Sequence, residues 1–252
     1  MNGPREPILN LPAALTAYIV LLAAIHGVRM LLSSNLDLWV IELFAFIPRR
    51  YDMTLLWQPL RGGDAAKVWT FFTYSLLHAN VTHLAVNVLW LLPFGAAVAR
   101  RFGAARFYAL MAVAAIAGAA AHLITHAHEL EPMIGASASV SGAMAAAIRF
   151  AFQRGSFLSF AHRAEADAAL VPAVSLTQAL RNPRVLIFLG IWFGINIVFG
   201  VGSVSAGLGV EGVAWEAHIG GFLAGLLLFS LFDPIPRAGR SVRHVADPSD
   251  PH

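Results

Sequence analysis

Residues 214–232 read AWEAHIGGFLAGLLLFSLF, a nearly continuous apolar run with one carboxylate near its start. An α-helix needs about 20 mainly apolar residues to cross a bilayer. His218, Gly221 and Gly225 share one face of such a helix, because residues three, four and seven apart lie on the same side. Glycines on a membrane helix allow a neighbouring helix to approach closely. The segment therefore predicts a spanning helix that packs tightly through the face carrying a histidine.

The rest of the chain has the same character. Of 252 residues, 58% are hydrophobic and 12% are charged, whereas about a quarter of the residues of a soluble domain are charged. Long unbroken apolar runs exclude the alternating strands of a membrane barrel. We predict an all-α polytopic membrane protein, a bundle of six transmembrane helices over 12–33, 80–99, 106–126, 136–153, 185–203 and 214–232. This membrane domain should cover 12–232, between a tail at 1–11 and a disordered Pro-rich tail at 233–252.

Basic residues indicate the orientation of the bundle. If six helices alternate, the two tails and the second and fourth loops face one side, and these segments hold most of the arginines. Loops rich in Lys and Arg stay in the cytoplasm. We therefore expect a multi-pass protein of the cell membrane, with membrane lipid around it and both termini cytoplasmic. The pI near 9.8 does not indicate nucleic acid, because the basic residues form no stripe. The chain has no cysteine, which excludes disulfides and a thiolate nucleophile.

Three serines lie in the stretch IGASASVSGAMAAA at 134–147. Ser137, with Gly135, falls at the outer N-terminus of the predicted fourth helix. Backbone N–H groups there have no helical partner and the helix dipole is positive, so this end can stabilise an oxyanion. Ser139 and Ser141 lie deeper. The alternative is that all three are small residues that allow two helices to pack.

Two other helices carry polar groups at a similar depth. His83 and Asn87 are four residues apart and share a face, so with the N–H of Ser137 they can form an oxyanion hole. His218 can accept a proton from a serine if the two helices approach closely. Each group taken alone also fits interhelical hydrogen bonding. Together they supply a nucleophile, a base and oxyanion donors.

With these residues in view, the chain resembles the rhomboid family of intramembrane serine proteases from about Val68 to Phe229. The resemblance rests on H-x-x-x-N at 83–87, G-A-S-x-x-x-S-G at 135–142 and A-H-x-x-G-x-x-x-G at 217–225. It implies a Ser–His dyad without a third acid, which cleaves transmembrane protein substrates near a helix end and needs no cofactor. It implies these roles: Ser137 as nucleophile, His218 as general base, His83 and Asn87 as oxyanion donors, and Gly135, Gly221, Gly225 and His78 as supporting residues.

The sequence itself fits a dyad. Neither the predicted fourth nor the sixth helix offers an internal Asp or Glu to orient His218, and Glu216 is two residues away, so it faces elsewhere. One departure from the family pattern touches the site, because Ala138 stands where a glycine usually follows the nucleophile.

A metalloprotease is a further alternative, because His122, His126 and His128 cluster with Glu129 and Glu131. The motif is HLITH, however, and lacks the glutamate of H-E-x-x-H that acts as the base. The sequence therefore predicts no metal site.

Two non-enzymatic classes complete the alternatives. A catalytically inactive rhomboid-like protein would bind transmembrane helices without cutting them, but such relatives typically lack the serine or the histidine, and Ser137 and His218 are both present. A small transporter would show an inverted repeat, and the sequence shows none.

Overall fold

A computed structural model describes residues 11–52, 60–152, 171–205 and 214–235, with side chains of the third range described to Val198. Within these ranges the secondary structure is helical, apart from one isolated antiparallel bridge between Phe46 and Met133. The predicted all-α fold is thus confirmed. The predicted tails lie largely outside the described residues.

The described helices follow the apolar segments of the sequence. They are α1 (Ala13–Met30), α2 (Ser34–Phe44), α3 (Gly63–Thr73), α4 (Val81–Trp90), α5 (Ala96–His126), α6 (Ser137–Ala147), α7 (Leu176–Leu180), α8 (Pro183–Ser205) and α9 (Trp215–Phe232). Short 3₁₀ turns occupy Pro48–Tyr51 and Tyr74–Leu76, and a π-helical turn at Leu91–Gly95 joins α4 to α5.

Three helical stretches of the described chain are long and apolar enough to cross a membrane: Ala13–Met30, the 46-residue stretch Val81–His126, and Trp215–Phe232. The segment Pro183–Val198 is apolar but shorter. The multi-pass character of the chain is therefore supported, and the count of six spans stays a prediction.

The long stretch turns back on itself at Gly103, whose φ of 73° and ψ of 170° interrupt α5. His83, before this point, lies against Gly135, and Gly118, after it, lies against Ala138. Both arms therefore reach the start of α6, so they run antiparallel. They correspond to the predicted segments 80–99 and 106–126.

We expect Gly103→Ala to destabilise the protein by about 1–3 kcal/mol, because this backbone conformation is essentially restricted to glycine. A Cβ at Gly103 would meet nothing within 4 Å, so the cost is conformational rather than steric. Gly190→Ala in α8 is the matched control, since that site is equally open and alanine favours a helix. Thermal unfolding in detergent measures both variants. Equal unfolding temperatures would contradict the expectation.

Helix α6 is the centre of the bundle, because every residue from Ala138 to Ala147 is buried. It is shorter than the predicted segment 136–153: it spans 11 residues and ends at Ala147. Turns follow the helix as far as residue 152. Within them, the carbonyl of Arg149 accepts from the N–H of Val174 (3.1 Å), and Nε of Arg149 donates to the carbonyl of Val174 (2.8 Å). The Arg149 backbone thus pairs with a distant segment.

Arginines hold the described part of the segment between α1 and α4. Nε of Arg29 lies 2.7 Å from Oδ1 of Asp37, and Nε of Arg61 lies 3.0 Å from Oε2 of Glu42. Arg50 is buried and donates to the carbonyl of Arg61 (2.7 Å). Arg50 and Arg61 in this segment therefore have structural partners.

The end of α9 is also fixed. Nε of Arg101 lies 2.8 Å from Oδ1 of Asp233, and both side chains are buried. Asp233 is the first residue of the predicted tail, so the contacts of the bundle extend past the predicted boundary at 232.

Candidate active site

Ser137 is the first residue of α6 and is half-buried. The hydroxyl groups of the other two serines in this stretch are hydrogen-bonded to backbone carbonyls. Ser139 donates to the carbonyl of Met111 and Ser141 donates to the carbonyl of Ser137, each over 2.8 Å. These two hydroxyls therefore satisfy backbone carbonyls inside the bundle, and Ser137 alone lies at the helix N-terminus.

Gly135 shapes the turn before Ser137. Its φ of 128° lies in a region that favours glycine, and its N–H donates to the carbonyl of Tyr74 over 3.0 Å. A Cβ here would lie 2.7 Å from Nε2 of His83. The glycine thus lets the His83 ring pack against the backbone two residues before Ser137.

His83 and Asn87 lie on α4, which begins after Asn80. Oδ1 of Asn80 caps the helix by accepting from the N–H of His83 over 2.8 Å. Asn87 is buried, and its Nδ2 donates to the carbonyl of His83 over 3.0 Å. One N–H of the Asn87 amide is therefore used within its own helix. An amide nitrogen carries two N–H donors, so this bond leaves the second for another acceptor.

His78 supports the same turn. Its Nε2 accepts from the N–H of Ala136 over 3.5 Å, and its ring meets the ring of His83 edge-on, with centroids 5.2 Å apart. Burial, and secondarily the neighbouring His83, lower the pKa of His78 to about 3. His78 is therefore neutral at physiological pH, as an acceptor nitrogen requires.

Helices α6 and α9 touch through backbone atoms. A Cβ at Gly221 would overlap the carbonyl of Ala138, and a Cβ at Gly225 would overlap the carbonyl of Gly142. Both pairs advance by four residues in the same direction, so the helices run parallel. His218 lies about one turn before Gly221, and Ser137 directly precedes Ala138. The contact therefore brings His218 to the level of the α6 N-terminus.

Asn196 of α8 contacts His218, and sequence reasoning missed this residue. Oδ1 of Asn196 lies 2.5 Å from Nδ1 of His218, and Nδ2 of Asn196 donates to the carbonyl of Trp192 over 2.7 Å. Since the amide uses its nitrogen as donor, its oxygen accepts from the His218 ring, which leaves Nε2 of His218 unprotonated in the neutral ring. The signal available was an isolated asparagine in the apolar run IWFGINIVFG at 191–200.

Glu216 points away from this group of residues. Its Oε1 lies 3.7 Å from Nε2 of His126, and its Oε2 lies 4.0 Å from Nδ1 of His122. His128, which the sequence grouped with those histidines, instead lies with Nδ1 2.7 Å from Oδ2 of Asp52. The structure thus divides the predicted histidine cluster.

A helical membrane bundle with a serine at a helix start and a histidine on the adjoining helix matches the protein class that the motifs suggested. The family model of the Rhomboid domain matches residues 65–233, which is more than half of the chain. The chain belongs to the rhomboid family.

Two curated relatives agree with this assignment. The chain is 26% identical over 171 residues to Rhomboid protease GluP of Bacillus subtilis (strain 168), covering 68% of this chain and 27% of that protein. It is 31% identical over 68 residues to Rhomboid protease GlpG of Enterobacter sp. (strain 638), covering 27% of this chain and 24% of that protein. The matched regions thus span about a quarter of each relative's length.

Proposed function

We propose that the protein is an intramembrane serine endopeptidase that hydrolyses peptide bonds in or near transmembrane segments of other membrane proteins. The observation that supports this proposal best is the backbone contact of α6 with α9 at Ala138 and Gly221, because Ser137 directly precedes Ala138 and His218 lies about one turn before Gly221. Family membership and two relatives named as proteases support it. The protein would reside in the cell membrane as six spans, with both termini cytoplasmic.

The proposed reaction uses Ser137 as the nucleophile. Its Oγ forms a bond to the scissile carbonyl carbon while its proton passes to Nε2 of His218. The resulting oxyanion accepts hydrogen bonds from the N–H of Ser137, from His83 and from Asn87. When the C–N bond breaks, His218 returns the proton to the leaving amine. Water then adds to the acyl-serine with the same histidine as base, which releases the carboxylate product and restores Ser137.

Substrates would be segments that unwind easily. A peptide bond inside a regular helix is inaccessible to attack, so cleavage requires local unwinding, which Gly or Pro in a helix favours. The proposal needs no cofactor. The buried hydrogen bonds of Ser139 and Ser141 support their assignment as packing residues.

Reconstitution into liposomes with a single-pass substrate tests the proposal. Cleavage into two fragments by the wild-type chain, with no added cofactor, is the expected result. A chain that binds such substrates stably and never cuts them would contradict the protease and favour the inactive helix-binding alternative.

A further inference from the structure

A second group of polar side chains lies beside the proposed active site, where α5 ends and α9 begins. The rings of His122 and His126 stack with centroids 4.4 Å apart, as expected for residues four apart on one helix. Glu216 of α9 faces both rings. One ligand atom from each of the three residues lies within 4.8 Å of the other two.

The surroundings of these rings point to a missing ligand. His122 is 7% exposed, and its Nδ1 is buried without a hydrogen-bond partner among the described residues. A buried polar atom without a hydrogen bond lowers the stability of the folded state, so native structures rarely contain one. Nδ1 of His126 lies 2.7 Å from the hydroxyl of Thr125, which orients that ring and leaves Nε2 towards Glu216. A hydrogen bond to the second ring nitrogen is typical of histidines that bind metals.

We propose that His122, His126 and Glu216 bind a divalent transition-metal ion, with Zn²⁺ as the preferred ion. Two imidazole nitrogens and one carboxylate suit Zn²⁺ and its neighbours better than Mg²⁺ or Ca²⁺, which favour oxygen ligands. Ligands about 2.1 Å from Zn²⁺ in tetrahedral geometry lie about 3.4 Å apart. The donor atoms of the three residues lie within 4.8 Å of one another, so binding requires each separation to shorten by at most about 1.4 Å. Glu129, whose Oε1 lies 3.9 Å from Nε2 of His126, is within reach as a fourth ligand.

The missing base of HLITH does not count against this site. That glutamate serves catalysis in zinc proteases, whereas the two histidines do the binding. The site therefore has a structural role: it ties the end of α5 to the start of α9, two residues before His218. The sequence prediction of no metal did not consider Glu216, which comes from a distant segment.

Cobalt binding tests the site in the whole chain, purified in detergent and stripped with a chelator. Co²⁺ is expected to bind in one equivalent with the visible absorption of a low-coordinate ion, and Zn²⁺ to displace it. His122→Ala, His126→Ala and Glu216→Gln should each weaken binding at least tenfold. His128→Ala is the matched control, because His128 is exposed and pairs with Asp52, and it should bind as the wild type does.

A stability readout separates binding from misfolding. At one Zn²⁺ concentration, the unfolding temperature should rise in the wild type and in His128→Ala, and should rise by clearly less in Glu216→Gln. Non-saturable cobalt binding, or equal affinity in the wild type and the three ligand variants, would overturn the proposal.

A separate observation, the hydrogen bond between α8 and His218, carries a second proposal that rests on the proposed function. We infer that Asn196 is a positioning residue for the proton transfer from Ser137. Its oxygen accepts from Nδ1 of His218, and its nitrogen is fixed by the carbonyl of Trp192. This arrangement holds the tautomer in which Nε2 can accept a proton. An amide performs the same task in Cys–His–Asn proteases.

An amide also fits the location. Asn196 is buried in an otherwise apolar segment, where a carboxylate would carry a large desolvation cost. The dyad implied by the resemblance would then have a third, uncharged member, supplied by α8 rather than by α6 or α9.

Asn196→Leu and Asn196→Asp form a matched pair for the test. Leu keeps the size and removes the acceptor, so kcat should fall about 100-fold with KM unchanged, less than the ~10⁴-fold loss known for a triad acid. Asp restores the acceptor, and its desolvation cost is offset when His218 takes the serine proton and becomes positively charged, so Asp should recover at least a tenth of the wild-type kcat.

The rate at which a fluorophosphonate modifies Ser137, measured in the wild type and in Asn196→Leu, separates the positioning role of Asn196 from the proposed function. A reactive wild type with an equally reactive, folded Asn196→Leu variant would overturn the positioning role alone. Failure of the Asp variant to rescue, at an unfolding temperature equal to that of the Leu variant, would do the same. An unreactive wild type would instead overturn the proposed function, and the positioning role with it.

Discussion

Ser137→Ala is expected to abolish cleavage of a reconstituted transmembrane substrate, lowering kcat by about 10⁴-fold or more. The loss follows because the substitution removes the oxygen that forms the acyl intermediate, and removal of a catalytic serine has effects of this size. His218→Ala should cause a comparable loss, since the serine then has no base. The two losses should not add in the double variant, because both residues act in one step.

Ser139→Ala and Ser141→Ala are the internal controls. Each removes a hydroxyl bound to a backbone carbonyl, so each should cost stability of about 1 kcal/mol and leave kcat within a few-fold of wild type. Loss of activity in Ser141→Ala, with Ser137→Ala still active, would identify Ser141, one helical turn after Ser137, as the nucleophile. Cleavage rates and unfolding temperatures of all four variants decide this.

Gly225→Ala is expected to destabilise the bundle by about 3 kcal/mol, near the upper end for an added methyl group in a packed core. The new Cβ would meet the backbone of Gly142 rather than a side chain that can rotate away. Helix α9 would have to move off α6, which shifts His218 away from Ser137. Activity should therefore fall at temperatures where the variant is still folded.

Gly194→Ala provides the comparison for this substitution. It introduces the same methyl group on an apolar helix, and a Cβ there would meet nothing within 4 Å. Its unfolding temperature and activity should equal those of the wild type or rise slightly, because alanine favours a helix over glycine. If Gly225→Ala and Gly194→Ala have equal unfolding temperatures and activities, the close approach of α6 and α9 does not position His218 against Ser137.

The features of the fold that could be predicted from sequence are those encoded within one helix. The apolar run of α9 and the spacing of His218, Gly221 and Gly225 indicated a close helix contact, and the structure has it at Ala138 and Gly142. The position of Ser137 at a helix start was predictable in the same way. A helical period fixes which residues share a face without knowledge of the partner.

Features that depend on two distant segments could not be predicted. The bond from Asn196 to His218 depends on how α8 is rotated against α9, and an apolar segment with one polar residue does not specify its partner. The pairing of Arg149 with Val174 also joins two segments that lie far apart in the sequence. The approach of Glu216 to His122 and His126 likewise joins α9 to α5, whereas the sequence suggested only neighbours such as Glu129.

Reaction with a biotinylated fluorophosphonate, followed by mass spectrometry of the labelled peptide, tests whether Ser137 is activated by His218. The reagent reports an activated serine without requiring the natural substrate, because attack by the serine oxygen expels fluoride and leaves a stable adduct. We predict one adduct per chain, on Ser137, that disappears in His218→Ala. An adduct on Ser139 or Ser141, or labelling of Ser137 that persists without His218, would contradict the proposed Ser137–His218 pair.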